Sequence, residues 1–264
     1  MPSLHSTIAQ TLSGATVIVT RPVGTATALL ASARVRGAGA LALPGLSLRR
    51  SMQPTVAHAL VEAARVAQAW IFTSPNAVRF AFTSASGLHL PASARVFGVG
   101  RGTQRALARR GVAAVVPTER SDSEGLLALP DLADVRGWRI ALVGAPGGRD
   151  LISGTLRQRG ATVEPLHVYE RRAPRLSRRH FDALARAPSP LLTLLSSAAA
   201  LANLTILLPP PVLARLRHQP LIVSSPRLAA LAREYGFEDV VEAASALPRD
   251  LLAAAAHALA RHRL

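Results

Sequence analysis

The 264-residue chain contains no cysteine and no lysine. The absence of cysteine excludes disulfide bonds, thiolate nucleophiles and cysteine metal ligands, and with them a small secreted fold held together by disulfides. The absence of lysine excludes a Schiff base between the protein and a carbonyl substrate. Aromatic residues make up only 4% of the chain while 49% of its residues are hydrophobic, which favours helices packed on sheets over an aromatic-rich β-sandwich.

Several common catalytic motifs are also absent. The eight histidines show neither His-x-x-x-His nor His-Glu-x-x-His spacing, and no carboxylate pair follows a predicted strand, so metal hydrolysis and glycosidase chemistry are not expected. The chain has no Gly-x-x-x-x-Gly-Lys-Ser/Thr loop, and the glycines at 98, 100 and 102 lack Rossmann spacing. An enzyme of this composition must act mainly by positioning its substrate.

Positive charge is abundant. All 31 basic residues are arginines, and with 15 acidic residues they give a formal net charge of +16. Such a field attracts anions, so nucleic acid, anionic lipid and a polycarboxylate metabolite are all candidate partners on charge alone. The arginines are spread over helix ends and turns and do not cluster with aromatic residues, so a specific nucleic-acid partner is not predicted.

One uncharged stretch, at 190–214, is long enough to cross a bilayer. Two serines, an asparagine and three successive prolines interrupt it, and a short strand, a serine-capped helix start and a proline stop explain this pattern better. The first 14 residues lack the basic and apolar regions of a signal peptide. We therefore expect a cytoplasmic protein with no membrane partner.

Apolar runs alternate with helical patterns along the chain. Two strands are predicted at 16–20 and 40–43, five at 69–73, 95–99, 113–116, 140–143 and 162–168, and three at 191–195, 221–224 and 239–241. This alternation predicts an α/β fold with doubly wound parallel sheets. The last three strands are too few for a typical sheet and the first two have no sheet of their own, so joining the two groups gives five.

The predicted strands end in turns of similar composition, rich in Ser, Thr, Gly and Pro, with arginines attached and few acids. They lie at 20–22, 73–76, 98–101, 144–149, 196–197 and 224–227. Ligands of open α/β sheets bind at the carboxyl ends of strands, and such turns offer N–H groups, hydroxyls and guanidinium groups to carboxylates. The alternative for any single serine or threonine is that it only caps a helix.

The segment at 138–172 is the most informative, and reads WRIALVGAPGGRDLISGTLRQRGATVEPLHVYERR. Its apolar run predicts a buried parallel strand, after which the glycines at 144, 147 and 148 open the strand end to close approach by a ligand. The helix predicted at 148–159 begins with unpaired backbone N–H groups, and this geometry favours an anion.

Taken in order, these motifs resemble the uroporphyrinogen-III synthase family. The Gly-Gly-Arg-Asp-Leu-Ile sequence at 147–152, followed by a strand that ends in Tyr-x-Arg, is typical of that family. Thr-Arg-Pro at 20–22, Thr-Ser-Pro-Asn-Ala-Val at 73–78, Gly-Val-Gly at 98–100 and Ser-Glu-Gly-Leu-Leu at 123–127 agree with it. The resemblance extends from about residue 16 to the C-terminus.

The resemblance implies two flavodoxin-like doubly wound parallel-sheet domains joined by a two-stranded connector. Combined with the strand count, it places a discontinuous domain one at 1–45 and 172–264 and domain two at 50–165. The connecting strands then lie at 45–50 and 166–172. Two such connectors would act as a hinge.

The resemblance also implies a cofactor-independent lyase. Such an enzyme closes the linear tetrapyrrole hydroxymethylbilane with loss of water and inverts ring D, which gives uroporphyrinogen III for haem, sirohaem and cobalamin synthesis. The interdomain cleft would hold the substrate's carboxylates. We expect a monomer without metal or cofactor, with possible transient handover of substrate from hydroxymethylbilane synthase. A competing hypothesis is a two-lobed anionic-metabolite-binding or regulatory module without catalysis.

Individual residues follow from the matching motifs. The resemblance implies that the hydroxyl of Tyr169 helps the substrate hydroxyl to depart, while the alternative is that Tyr169 only packs between the connecting strands. Substrate-binding roles are implied for Arg21, Ser74, Asn76, Ala77, Gly100, Thr103, Ser123, Gly147, Gly148, Arg149, Ser196, Ser197 and Arg227.

Overall fold

In the computed structural model the chain forms two compact units. Unit 1 comprises Met1–Leu48 and Arg172–Leu264, and unit 2 comprises Arg49–Arg171. The structure describes residues 11–53, 55–120, 122–147 and 150–262. Each unit is an α/β structure with its own parallel sheet, which confirms the predicted fold class at that level.

The strands and helices of the described residues are numbered in chain order. The strands are β1 (Thr16–Val19), β2 (Gly39–Ala42), β3 (Ser47–Arg50), β4 (Ala69–Phe72), β5 (Arg95–Gly98), β6 (Arg139–Gly144), β7 (Thr162–His167), β8 (Tyr169–Arg172), β9 (Leu191–Leu195), β10 (Leu221–Val223) and β11 (Val240–Glu242). The α-helices are α1 (Thr27–Val35), α2 (Thr55–Val66), α3 (Pro75–Ser84), α4 (Arg101–Ala108), α5 (Ser123–Leu127), α6 (Leu151–Gln158), α7 (Arg178–Arg186), α8 (Ala198–Leu207), α9 (Pro210–Arg217), α10 (Pro226–Glu234) and α11 (Pro248–Arg261).

Unit 1 is built on a five-stranded parallel sheet in the order β11-β10-β9-β1-β2. Strand β1 is buried along its whole length, as expected for a parallel strand that helices cover on both faces. Val17 and Val19 belong to one apolar cluster and Ile18 to the other, because successive side chains of a strand point to opposite faces. The two clusters are therefore the cores on the two sides of one sheet.

Unit 2 is built on a four-stranded parallel sheet in the order β5-β4-β6-β7. The central strand β4 is fully buried, and its Trp70 and Phe72 rings stack with centroids 6.0 Å apart. Since all four strands are parallel, their carboxyl ends lie at one edge of the sheet. The turns at 73–76, 98–101 and 144–147 follow three of these ends.

The predicted strand at 113–116 is wrong. Only Val115 pairs with β5, through an isolated bridge in which its N–H donates to Val96 O and its carbonyl accepts from Gly98 N–H, each at 2.9 Å. Pro117 has no N–H with which to extend the pairing, and Val115 itself is 44% exposed. The segment therefore touches the edge of the sheet without becoming a strand.

Strands β3 and β8 pair into a separate two-stranded sheet. The chain passes from unit 1 to unit 2 within β3, after Leu48, and returns within β8, after Arg171. The two crossings are thus hydrogen-bonded strands and not open loops.

The uncharged stretch at 190–214 contains β9, α8 and the start of α9. Ser197 caps α8, where its Oγ accepts from Ala200 N–H at 3.3 Å, and α9 begins at Pro210. This confirms the interpretation of the stretch as a strand, a capped helix and a proline stop. Among the described residues no helix is long and apolar enough to span a membrane.

Gly45 provides a test of the packing in unit 1. Its N–H donates to Thr20 O at 3.1 Å and its carbonyl accepts from Asn203 Nδ2 at 2.9 Å. A Cβ at this position would lie 2.5 Å from Ala200 Cβ and 2.9 Å from Ala200 Cα. We expect Gly45→Ala to lower the free energy of unfolding by about 1–3 kcal/mol, measured by urea denaturation.

Gly154→Ala is the matched control. Gly154 lies within α6, and outside the helix's own backbone a Cβ there would meet no atom of the described residues within 4 Å. Because alanine is the better helix former, this variant should gain about 0.5–1 kcal/mol. A Gly45→Ala protein as stable as the wild type would contradict the close approach of the turn to α8.

Candidate functional site

Two hydroxyl groups meet at the end of strand β4. Tyr169 Oη lies 3.2 Å from Ser74 Oγ, and Ser74 Oγ accepts from Ala77 N–H at 3.1 Å as the N-cap of α3. The Tyr169 side chain stacks on Phe80 with ring centroids 5.2 Å apart, and the residue is 3% exposed. The tyrosine is therefore fixed both by its ring and by its hydroxyl.

This hydroxyl pair has a spare hydrogen-bond donor. Two hydroxyls carry two hydrogens, and only one of these can lie between the oxygens. Within the described part of the chain, neither oxygen makes a further hydrogen bond to an acceptor. Whichever hydroxyl donates within the pair, the other hydrogen is available to a ligand.

The serines at the strand ends do cap helices. Ser74, Ser197 and Ser225 each accept from the N–H three residues further along, at 3.1, 3.3 and 3.3 Å. The capping alternative is therefore correct for the oxygen of each side chain. Capping uses an oxygen lone pair and not the hydroxyl hydrogen, so a capping serine can still donate to a ligand.

A cavity of about 460 Å³ lies in unit 2 beside the turn that follows β6. Ser123 and Gly147, both predicted as site residues, line this cavity. Thr73, the residue before Ser74, lines it as well. Gly147 has a φ of 75°, a conformation that favours glycine. A cavity of this size suits a small ligand or one part of a larger one.

Three basic residues of the lining were not predicted as site residues. They are Arg157 near the end of α6, His167 at the end of β7 and Arg171 in β8. Arg171 Nη1 donates to Pro146 O at 3.2 Å, and its guanidinium carbon is 5.9 Å from the Tyr169 ring centroid. The sequence did contain a signal for Arg171, since it is the arginine of the Tyr-x-Arg motif.

The other predicted residues of unit 2 lie in the first turns of helices. Asn76 is half-buried and Ala77 is fully buried in α3, while Gly100 is the buried N-cap of α4. Thr103 is 3% exposed, and its Cγ2 would be 3.1 Å from a Cβ placed on Gly98, so it packs beneath the turn at 98–101. All four therefore lie close to the carboxyl ends of β4 and β5.

Ser123 is the first residue of α5, and the residue before it caps this helix. Asp122 is the N-cap of α5, and its carboxylate accepts from Gly125 N–H at 2.8 Å. Asp ranks with Ser as an N-cap residue, so the Ser-Asp-Ser sequence at 121–123 allowed more than one choice. Ser123 is the first helical residue.

Four predicted residues belong to unit 1. Ser196 and Ser197 follow β9 and are half-buried, and Arg227 is exposed in the first turn of α10. Arg21 follows β1, and its Nη2 donates to Ala246 O at 2.5 Å. Burial lowers the pKa of the Arg21 guanidinium, although arginine keeps its charge at neutral pH.

Gly148 and Arg149 lie outside the described residues. Over residues 11–53, 55–120, 122–147 and 150–262, no group of three or more histidine or acidic side chains could hold a metal ion.

Comparisons with known proteins agree with one another. The family model described as "Uroporphyrinogen-III synthase HemD" matches residues 27–253. The chain is 33% identical over 238 residues to the uroporphyrinogen-III synthase of Salmonella typhimurium, covering 85% of this chain and 93% of that one. It is 32% identical over 237 residues to the enzyme of Escherichia coli K12, with the same coverage.

Two groups of solved structures share the fold. A mutant uroporphyrinogen III synthase from the extremely thermophilic bacterium Thermus thermophilus has a TM-score of 0.61 at 22% identity, covering 94% of this chain and 99% of that one. The uroporphyrinogen-III synthetase of Helicobacter pylori has a TM-score of 0.61 at 15% identity, covering 95% and 100%.

Gly144 lines the cavity at a position where a larger side chain would clash with Thr73. A Cβ there would lie 2.7 Å from Thr73 Oγ1, which itself donates to Val143 O at 3.2 Å. We expect Gly144→Ala to lower the free energy of unfolding by about 1–3 kcal/mol, measured by chemical denaturation. Adding Thr73→Ala removes the clashing atoms, so the double variant should be more stable than Gly144→Ala alone. Independent, additive losses would show that the two side chains do not compete for this space.

Proposed function

The chain belongs to the uroporphyrinogen-III synthase family and is an enzyme of tetrapyrrole biosynthesis. We propose how its residues serve the reaction of this family. The reaction closes hydroxymethylbilane to uroporphyrinogen III with loss of water and inversion of ring D. The activity is therefore of the lyase class. The comparisons give no support to the non-catalytic metabolite-binding module.

The substrate provides most of the reactivity. When its hydroxyl leaves, a delocalised azafulvene cation forms that the pyrrole nitrogen stabilises. Without orientation this cation closes to isomer I, so the enzyme must bring it against the substituted carbon of ring D, through a spiro intermediate. Orientation of this kind can contribute roughly 7–11 kcal/mol at its ceiling.

We assign to the Ser74–Tyr169 pair the donation of a hydrogen bond to the departing hydroxyl of the substrate. What supports this is the spare hydroxyl hydrogen, held at the carboxyl end of β4, where ligands of such sheets bind. A hydrogen bond from it would stabilise the negative charge that develops on the leaving oxygen, without any change in the charge of the protein. The burial of Tyr169 against Phe80 holds that donor in place.

The strand-end turns are proposed to bind the substrate's carboxylates. The composition of the turns supports this proposal, because they combine capping hydroxyls, backbone N–H groups and arginines and contain few acids. The proposed binding residues are Arg21, Ser74, Asn76, Ala77, Gly100, Thr103, Ser123, Gly147, Gly148, Arg149, Ser196, Ser197 and Arg227.

The finer description of the fold is also proposed. It consists of two flavodoxin-like domains, the first discontinuous, joined by the two strands β3 and β8. The division of the chain into two units and the separate pairing of these strands support it. The monomeric state, the cytoplasmic location and the handover from hydroxymethylbilane synthase stay predictions.

Isomer analysis tests the function directly. Purified protein is incubated with hydroxymethylbilane, and the oxidised products are separated by chromatography. We expect isomer III to predominate, while a sample without protein gives isomer I. Isomer I alone in both samples would rule the proposed function out.

Substitution of the hydroxyl pair tests the mechanism. Tyr169→Phe keeps the ring that stacks on Phe80 and removes only the hydroxyl, so we expect kcat to fall roughly 10- to 100-fold with little change in KM or in the melting temperature. Ser74→Ala should lower kcat as well, and also stability by about 1 kcal/mol, because it removes the cap of α3.

Ser225→Ala is a matched control for the lost cap, since Ser225 caps α10 in unit 1. It should lose similar stability and, because its turn is proposed to bind substrate and not the leaving hydroxyl, raise KM without the loss of kcat seen for Ser74→Ala. If Tyr169→Phe turns over at the wild-type rate, Tyr169 only packs between the connecting strands.

A further inference from the structure

In the described part of the chain, the cavity in unit 2 is lined by more positive than negative charge. Arg157 and Arg171 both line it, and neither forms an ion pair with a carboxylate in the described part of the chain. The acidic side chain among the described lining residues is Asp150, whose carboxylate accepts a hydrogen bond from the Ser153 hydroxyl. The described lining therefore carries two guanidinium groups and one carboxylate, which leaves a net positive charge.

Each guanidinium is held in place by a backbone carbonyl. Arg157 Nη2 donates to Val163 O at 3.1 Å, and Arg171 Nη1 donates to Pro146 O at 3.2 Å. A guanidinium has five N–H groups, so a single bond to a carbonyl orients it and leaves the other donors for a ligand. A carbonyl oxygen does not neutralise the charge. Both arginines are thus oriented cations with free donors.

The ligand that fits these features is a carboxylate. Planar guanidinium groups bind carboxylates through paired N–H donors, and the turn at 144–147 adds a glycine that allows close approach of the backbone. We propose that Arg157 and Arg171 form a subsite for one acetate or propionate group of the tetrapyrrole. The identity of the ligand as a tetrapyrrole rests on the proposed function. Its negative charge is inferred from the two arginines alone.

Arg171 also relates the subsite to the hydroxyl pair. Its guanidinium carbon lies 5.9 Å from the centroid of the Tyr169 ring, two residues away in β8, while its Nη1 holds the turn at Pro146. A carboxylate bound there would be placed at a set distance from the Ser74–Tyr169 donor. Arg171 would thus be a binding residue that also positions the substrate for loss of its hydroxyl.

The test is a fluorescence titration of the full chain with uroporphyrin III, the oxidised form of the product. Arg157→Gln and Arg171→Gln should each raise the Kd roughly 10- to 100-fold, the range expected for the loss of a hydrogen-bonded charge. Arg109→Gln removes the same charge from an exposed residue of unit 2 that does not line the cavity, and should change the Kd by about twofold or less.

Two additional measurements keep the outcome clear. Thermal unfolding checks each variant, and Arg157→Lys and Arg171→Lys retain the charge if a glutamine variant does not fold. In turnover of hydroxymethylbilane, the glutamine variants should raise KM more than they lower kcat. Equal weakening by all three glutamine variants would indicate the long-range field alone, and weakening by only one cavity variant, or by none, would overturn the two-arginine subsite.

The subsite and the proposed function can fail separately. If the wild type makes isomer III but both cavity variants bind uroporphyrin III normally, the subsite is wrong and the function stands. If the wild type makes only isomer I and the binding differences persist, the function is wrong and the cavity is a carboxylate site of another kind.

Discussion

The hydrogen bond between Ser74 and Tyr169 joins two parts of the chain that are 95 residues apart. It exists because β4 ends where α3 begins, so that Ser74 must cap the helix, and because β8 brings a tyrosine to the same place. The burial of the tyrosine ring against Phe80 sets the distance between the two oxygens. Departure of the substrate hydroxyl, as proposed, depends on this fixed donor at the sheet edge.

A similar constraint applies to the charges. The chain has an excess of arginines, and those of the cavity are oriented by backbone carbonyls instead of carboxylates. An arginine paired with an acid would have to exchange that partner for the substrate, whereas an arginine held by a carbonyl keeps its charge available. The substrate is a polycarboxylate that readily loses its hydroxyl to form a cation. Oriented arginines to bind its carboxylates and one neutral hydrogen-bond donor for the leaving hydroxyl are therefore sufficient for the proposed reaction.

Much of the fold could be predicted because its signals are local. Continuous apolar runs marked the buried strands, and serine and proline marked the starts of α3, α8 and α10. The strand at 113–116 could not be excluded in this way, because only the edge position of Val115 and the proline that follows limit its pairing. The positions of Arg157 and His167 in the cavity lining were not predicted, because the cavity forms where the segment at 142–171 meets Thr73, Val99 and Ser123. Gly148 and Arg149, central to the sequence argument, lie outside the described residues.

The most direct test of this account is whether the two hydroxyls act as one unit. The measurement is kcat for the double variant Ser74→Ala/Tyr169→Phe beside its two single variants, with product isomers identified in each case. If the donor works only when the other hydroxyl orients it, the double variant loses no more than the worse single variant. A loss equal to the product of the two single losses would show independent roles and would contradict the account.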